Sequence, residues 1–189
     1  FNALPLILWR KPTNAPNKFM GSGMLPAGAY VTLEHEYILI LRKGPKREFS
    51  SPLKKQTRRE GAFFWEERNN WFSDVWMDLK GARQKLTENS ARLRSAAFPF
   101  EIPYRLINMF SVKDDIVLDP FLGTGTTIAA AVATGRSSIG FEIEPDFQRV
   151  LQDRLATLVS FSNNRIHERL TSHEEFIEAR YQKNGGFRY

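Results

Sequence analysis

The sequence contains no cysteine and only three histidines among its 189 residues. The lack of cysteine excludes disulfide bonds, cysteine-ligated zinc, iron–sulfur clusters and a thiol nucleophile from this sequence. Three histidines spread along the chain argue against a histidine-built metal centre, so we predict no metal ligands.

Long apolar runs are also missing. No stretch reaches the length of a membrane-spanning helix, and the first residues lack a signal-peptide pattern, so we expect a cytoplasmic, nucleoid-associated protein. An apolar content of 42% is enough for a core, and the length suits one compact domain with a small appendage. Lys and Arg number 27 against 21 for Asp and Glu, and the net charge of +6 favours a polyanionic partner, nucleic acid first.

One segment concentrates this positive charge. Between Arg42 and Arg59 there are eight basic residues and one acidic residue, Glu48. The one-sided charge favours contact with DNA phosphates, although such a run also suits a solvated face. From here to Trp76 we expect irregular structure and a small insertion rather than a sheet strand. Each of the aromatics Phe63, Phe64, Trp65 and Trp71 is expected to be a core residue. The predicted DNA-binding residues are Lys43, Lys46, Arg47, Lys54, Lys55, Arg58 and Arg59.

Predicted strands and helices alternate in the second half of the chain. Strands are predicted over 4–9, 37–41 (buried on both faces), 116–119 and 138–143, and helices from Pro103, from Thr126 to Thr134, and from near Pro145. A further polar segment, 80–93, is expected to be helical in part. Leu106, Ile107 and Phe110 are predicted to share one face of the first of these helices, and the last is predicted to bury Phe147, Val150, Leu151 and Leu155. This order predicts an α/β fold with a parallel sheet covered by helices.

The most informative run is the loop from Asp119 to Thr127, between a predicted strand and a predicted helix. Gly123 and Gly125 allow a tight turn and close approach of a ligand, and the free N–H groups at the start of the helix point to the same place. Glu142 follows Asp119 by 23 residues, at the end of the next strand. An acidic residue at that place can accept hydrogen bonds from the hydroxyls of a ribose.

Three nucleoside ligands compete for this loop. A phosphate-binding loop needs a lysine after its last glycine, where this chain has Thr126. A nicotinamide fingerprint needs a third glycine where Ile128 stands. S-adenosylmethionine (AdoMet) carries no phosphate and tolerates the acidic Asp119, so it fits the residue types best. A glycine turn of purely structural role remains an open alternative for the loop by itself.

The flanks make the pattern specific. The run Asp119-Pro120-Phe121-Leu122-Gly123-Thr124-Gly125-Thr126-Thr127 resembles the cofactor loop of DNA amino-methyltransferases, and 98–103 resembles the segment before that loop in their β-class. Segments 73–76 and 35–43 resemble other sequence segments of these enzymes. All these segments follow one another along the chain in the order that is typical of the β-class. The resemblance covers roughly residues 1 to 160.

This resemblance implies a Rossmann-like AdoMet-dependent methyltransferase fold with a small target-recognition insertion. It implies that Glu142 holds the ribose, that Ile143 packs on the adenine, and that Phe98 and Pro99 close over the methionine end. The implied cofactor-binding residues are Phe98, Pro99, Asp119, Phe121, Gly123, Gly125, Thr126, Glu142 and Ile143. The implied divisions are the end of a catalytic subdomain (1–43), a DNA-binding insertion (44–95), an AdoMet-binding subdomain (96–160) and an extension (161–189).

One family feature is absent from this sequence. These enzymes carry a Pro-Pro motif in the catalytic pocket, and none of the ten prolines here is adjacent to another. We therefore expect the catalytic residues to lie before Phe1 in a longer protein and assign none here. The implied partners are double-stranded DNA and either a second copy or a missing amino-terminal half. Cytosine N4 is favoured over adenine N6 as the target, within a restriction-modification system. The alternative is a catalytically silent module that binds AdoMet or DNA as a partner or regulator.

Overall fold

The computed structural model describes residues 1–11, 26–27, 34–81 and 98–185. The chain divides into two compact units. The first contains 1–47 and 72–99, and the second contains 48–71 and 100–189. Most of the segment 80–93, predicted to be partly helical, lies outside the described residues.

The described elements of the first unit are short strands. Strands β1 (Asn2–Ala3) and β4 (Leu41–Arg42) pair antiparallel. Strand β2 (Ile7–Arg10) lies between β3 (His35–Ile38), which is antiparallel to it, and β5 (Val75–Trp76), which is parallel. Trp9 and Trp76 are almost fully buried, and the Trp9 indole N–H donates to the Leu79 carbonyl at 2.9 Å. These two indoles anchor the unit.

Two expectations for this unit are wrong. The run 37–41 is not a strand buried on both faces: it is split between β3 and β4, and Tyr37, Leu39 and Leu41 are 61%, 70% and 59% exposed. An antiparallel pair can leave one face in solvent, so apolar residues here do not require burial on both sides. The residues at 75–76 also form a sheet strand, because they pair with β2 from a distant part of the chain.

The second unit is mostly helical. Its helices are α1 (Pro52–Glu60), α2 (Trp65–Trp71), α3 (Glu101–Phe110), α4 (Thr126–Ala133) and α5 (Phe147–Asn184). Strands β6 (Ile116–Asp119) and β7 (Ser137–Gly140) pair in parallel, and α4 connects them, as the strand–helix–strand order predicts. Gly135 follows α4 with a φ of 72°, the left-handed conformation with which a glycine commonly ends a helix.

Helix α4 packs tightly because of its alanines. Ala129, Ala130 and Ala131 are completely buried, so α4 approaches α3 closely. Trp71 and Tyr104 meet edge to face within the same core, with ring centroids 5.9 Å apart. Leu155 of α5 is 53% exposed, so the expectation that it is buried is wrong. Phe110, the last residue of α3, is 50% exposed.

The expectation of irregular structure in the basic segment is wrong, because part of that segment forms helix α1. The Ser51 hydroxyl accepts from the Lys54 N–H at 3.3 Å, and Pro52 occupies the first turn, where its missing N–H has no cost. None of its residues is buried, so it lies on the surface of its unit. The Ser-Pro start is a helix signal that the strong charge of the segment obscured.

Helix α5 continues through residue 161, where a separate extension was expected to begin. Its second half is held by ion pairs: Arg169 to Glu67 of α2, and Arg165 to Glu101 of α3 at 2.6 Å. None of the helices in the described ranges combines the length and the apolar character that a bilayer span requires.

Candidate cofactor site

The loop that follows β6 turns sharply at its first residues. The Asp119 carboxylate accepts a hydrogen bond from the Phe121 N–H at 3.0 Å, two residues further along the chain. The Leu122 N–H then donates to the Phe141 carbonyl at 2.9 Å, and the Phe141 N–H donates to the Asp119 carbonyl at 2.9 Å. These bonds fix the loop to the chain that leaves β7, at the carboxyl end of both parallel strands.

The two glycines of the loop have positive φ angles, 53° at Gly123 and 75° at Gly125. A Cβ added to Gly125 would lie 2.8 Å from Leu151 and 3.3 Å from Arg154 of α5. Gly125 is therefore required both by its backbone angle and by close packing. A Cβ on Gly123 would have no described atom within 4 Å, so that part of the loop backbone is open to approach.

Glu142 is joined directly to this loop. Its Oε2 accepts from the Gly123 N–H at 2.6 Å, and its Oε1 accepts from the Glu144 N–H at 2.8 Å. Both backbone donors hold the carboxylate in one orientation, and each oxygen keeps a second lone pair for another donor. The structure thus brings together the glycine and the acidic residue that the sequence spaced 19 residues apart.

Three other predicted cofactor-binding residues, Phe121, Thr126 and Ile143, belong to the same unit as this pair. Thr126 begins α4, and its hydroxyl lies 3.4 Å from that of Thr124. Phe121 and Ile143 are 88% and 97% exposed, so both offer apolar surface beside the loop. Phe98 and Pro99 belong to the first unit, and their closure over the methionine end of the cofactor stays a prediction.

Sequence reasoning missed the residues that support the loop from behind. A Cβ on Gly140 would lie 2.7 Å from two side-chain carbons of Leu122, so only glycine lets this buried leucine pack there. Arg154 packs against Gly125, and its Nε has no hydrogen-bond partner among the described residues. Burial lowers the pKa of Arg154. In the sequence, the sign of this close packing is that a glycine, Gly140, directly precedes Phe141.

The predicted DNA-binding residues are on the surface but divide between the units. Three belong to the first unit, and the other four lie on α1 in the second: Lys43, Lys46 and Arg47, then Lys54, Lys55, Arg58 and Arg59. All seven are exposed, and their role stays a prediction. No described group of three or more His, Asp or Glu side chains is placed to hold a metal ion.

The aromatics after this run are mostly core residues, as expected, with one exception. Trp71 is buried, Phe63 packs against it, and Phe64 stacks on His173 at 3.7 Å. Trp65 is 54% exposed, so the expectation of burial is wrong for it. The Trp65 ring centroid lies 5.7 Å from the Arg68 guanidinium and 5.9 Å from that of Arg180 on α5.

Comparison with known proteins identifies relatives over most of the chain. Type II methyltransferase M.MthZI of Methanothermobacter thermautotrophicus is 53% identical over 187 residues, covering 99% of this chain and 52% of that protein. Type II methyltransferase M.MjaI of Methanocaldococcus jannaschii is 50% identical over 155 residues, covering 82% of this chain and 50% of the relative. The chain thus spans about half the length of these two relatives.

A solved structure is similar at the level of the fold. TTHA0409 of Thermus thermophilus, described as a DNA modification methylase and crystallised with S-adenosyl-L-methionine, matches with a TM-score of 0.64 and 32% identity. The match covers 84% of this chain and 55% of that one. The chain accordingly has the α/β, Rossmann-like fold of AdoMet-dependent methyltransferases. The N6_N4_Mtase family model, described as DNA methylase, matches residues 1–153, and the chain belongs to this family.

Proposed function

We propose that this chain binds S-adenosylmethionine on the loop from Asp119 to Thr127 as part of a site-specific DNA amino-methyltransferase. The observation that carries the proposal is the hydrogen bond between the Gly123 N–H and the Glu142 carboxylate. It fixes an acceptor pair beside an open glycine backbone, at the carboxyl end of two parallel strands, where α/β folds bind nucleosides. AdoMet-bound TTHA0409 supports the choice of ligand.

The residues present suit the chemical groups of this cofactor. Glu142 has lone pairs available for both ribose hydroxyls, and the exposed side chains of Phe121 and Ile143 suit the flat faces of an adenine. The loop from Asp119 to Thr127 contains no lysine or arginine, which suits a cofactor with a sulfonium and no phosphate. When bound, AdoMet supplies an activated methyl group, and these side chains hold and orient it.

The acceptor in this proposal is an exocyclic amino group of a DNA base. Methylation of cytosine C5 requires a cysteine nucleophile, and this sequence has no cysteine. We favour cytosine N4 over adenine N6, within a restriction-modification system at the nucleoid in the cytoplasm. The relatives' names, Type II methyltransferases, support the class of activity. The catalytic step itself is assigned to no residue of this chain.

The proposed division of labour follows the order of the sequence. Residues 1–43 end the catalytic subdomain, 44–95 contact DNA, 96–160 bind AdoMet, and 161–189 extend the chain. The protein partner is a second copy or a separate amino-terminal half. The exposed basic side chains of 43–59 support DNA contact, because phosphates attract Lys and Arg without sequence preference.

Isothermal titration of the 189-residue chain tests the proposal, with AdoMet in one experiment and NADH in another. We expect saturable binding of AdoMet and none of NADH. Binding of NADH and not AdoMet would return the site to the nicotinamide class. AdoMet binding without any binding of duplex DNA would instead favour the silent-module alternative, in which the chain is a regulator.

A further inference from the structure

The turn that carries Gly123 is anchored at both of its ends. Within the turn, the Gly125 N–H donates to the Leu122 carbonyl at 2.9 Å, and Gly123 lies between these two residues. At one end, the Leu122 N–H donates to the Phe141 carbonyl at 2.9 Å, which ties the turn to the chain after β7. At the other end, Gly125 directly precedes the first residue of α4. We call residues 122–125 the cofactor turn.

Two side chains of α5 hold the Gly125 end of the cofactor turn. A Cβ added to Gly125 would lie 2.8 Å from the Leu151 Cδ2 and 3.3 Å from the Arg154 Cδ. Because Leu151 and Arg154 are three residues apart, they share one face of α5, and both fill the space that the glycine leaves free. Glycine has more backbone freedom than any other residue, so this packing restricts a part of the chain that would otherwise move readily.

We propose that Leu151 and Arg154 are positioning residues for AdoMet, which hold the cofactor turn in the shape that binds it. The inference rests on the proposed binding of AdoMet to this loop. The Gly123 N–H, two residues before Gly125, donates to the Glu142 Oε2 at 2.6 Å. A shift of Gly125 therefore moves the donor that orients the proposed ribose acceptor. Through this connection, the packing of α5 sets the affinity for a cofactor that α5 itself is not expected to contact.

Arg154 serves this role through the aliphatic part of its side chain. Of its atoms, Cδ comes closest to a Cβ built at Gly125, whereas its Nε is buried without a hydrogen-bond partner among the described residues. Its guanidinium forms no ion pair within the described part of the chain, and burial lowers the pKa of Arg154 with no carboxylate to offset it. A charge without a partner does not hold the turn, so an uncharged side chain of similar length should replace this arginine.

Isothermal titration of AdoMet into the parent chain and four variants tests the assignment. Leu151→Ala and Arg154→Ala should each weaken binding about 5- to 30-fold, the factor for ordering the backbone of one residue on binding. Arg154→Met should bind AdoMet like the parent chain, because the methionine sulfur takes the place of Cδ. Leu155→Ala is the matched control for Leu151→Ala, since Leu155 lies four residues further along α5 and is 53% exposed. Its affinity should equal that of the parent chain.

Hydrogen exchange of the ligand-free chains separates positioning from a general loss of stability. The Gly123 amide should exchange faster in Leu151→Ala and Arg154→Ala than in the parent chain, because the cofactor turn opens more often. The amide of Ile107, in the buried core of α3, reports on unfolding of the whole unit and should be affected less. A merely structural role would raise both exchange rates by the same factor. Arg154→Met should restore the parent rate at Gly123.

Three results would overturn the inference. The first is an AdoMet affinity of Leu151→Ala and Arg154→Ala that equals that of the parent chain. The second is an Arg154→Met chain that binds as weakly as Arg154→Ala, since this outcome assigns the guanidinium a contact of its own. The third is a Gly123 exchange rate that rises only in step with that of Ile107. A parent chain that binds no AdoMet would instead contradict the proposed function, and the exchange rates, which need no cofactor, would still decide whether α5 holds the turn.

Discussion

Replacing Glu142 with alanine removes the carboxylate that joins β7 to the glycine loop. In the proposed complex the change removes hydrogen bonds to the ribose, and the partner hydroxyls lose charged acceptors. Such a loss costs about 1–3 kcal/mol, which weakens AdoMet binding about 5- to 150-fold. Isothermal titration of AdoMet into the parent chain and the Glu142→Ala chain measures this change directly.

Glu144→Ala is the matched control for this experiment. Glu144 is exposed, carries the same charge and lies two residues away, and only its backbone N–H contacts Glu142. Its removal should leave AdoMet affinity within experimental error. Because Glu142→Ala also releases the Gly123 and Glu144 amides, thermal unfolding without ligand must be measured for both variants, so that loosening of the loop is separated from loss of the ribose hydrogen bonds.

An analogue that lacks a ribose hydroxyl completes the design. S-adenosylhomocysteine and its 2′-deoxy form should differ in affinity for the parent chain, since the missing hydroxyl no longer donates to Glu142. The same two ligands should bind Glu142→Ala with nearly equal affinity, because the acceptor is already gone. Equal discrimination by both proteins, or unchanged AdoMet affinity in Glu142→Ala, would refute the ribose assignment.

Three further changes test other parts of the account. Gly125→Ala should lower the thermal stability of the chain more than Gly123→Ala. Alanine at either position has an unfavourable positive φ, which costs roughly 1–2 kcal/mol, but only at Gly125 would the added Cβ also collide with α5. Equal losses of stability would contradict the packing argument. Glu67→Gln should lower the free energy of unfolding by about 3 kcal/mol, because it breaks a largely buried ion pair with Arg169. A loss of only about a few tenths of a kcal/mol in denaturant unfolding would contradict this prediction. Replacing the basic residues of α1 with glutamine should make duplex DNA binding less dependent on salt. The slope of log K against log salt concentration should fall in magnitude by about 0.9 for each phosphate that is no longer neutralised. An unchanged slope, measured by fluorescence anisotropy, would show that α1 is not part of the DNA interface. The four residues replaced are Lys54, Lys55, Arg58 and Arg59.

Local signals were sufficient for the part of the fold that carries the site. Strand β6 has the predicted bounds, and α4 ends one residue before its predicted end, because turn residues follow both elements: Asp119 and Pro120 at the end of β6, and Gly135 after α4. The approach of Glu142 to Gly123 was also predictable. Parallel strands joined by one helix place their carboxyl ends at the same edge, so residues just after each strand must be neighbours.

Non-local contacts decided the rest, and the sequence pattern does not contain them. Strand β5 has two residues and exists only because it pairs with β2, from which it is separated by more than 60 residues. Leu155 has the spacing of a buried helix residue, yet it is 53% exposed, because α5 places Leu151 and Arg154 against the start of α4 instead. The tight contact between Gly140 and Leu122 depends on how closely the loop after β6 approaches the end of β7, which no spacing rule specifies.

Nuclear magnetic resonance of the ¹⁵N-labelled chain, titrated with AdoMet, tests the central claim most directly. The amides of Gly123, Gly125 and Glu144 report on the loop, on the start of α4 and on the Glu142 carboxylate. We predict saturable shifts of these amides at one common affinity, with the amides of α1 unchanged. Saturable shifts confined to other residues, or no shifts even at millimolar AdoMet, would contradict the proposal that this loop holds AdoMet.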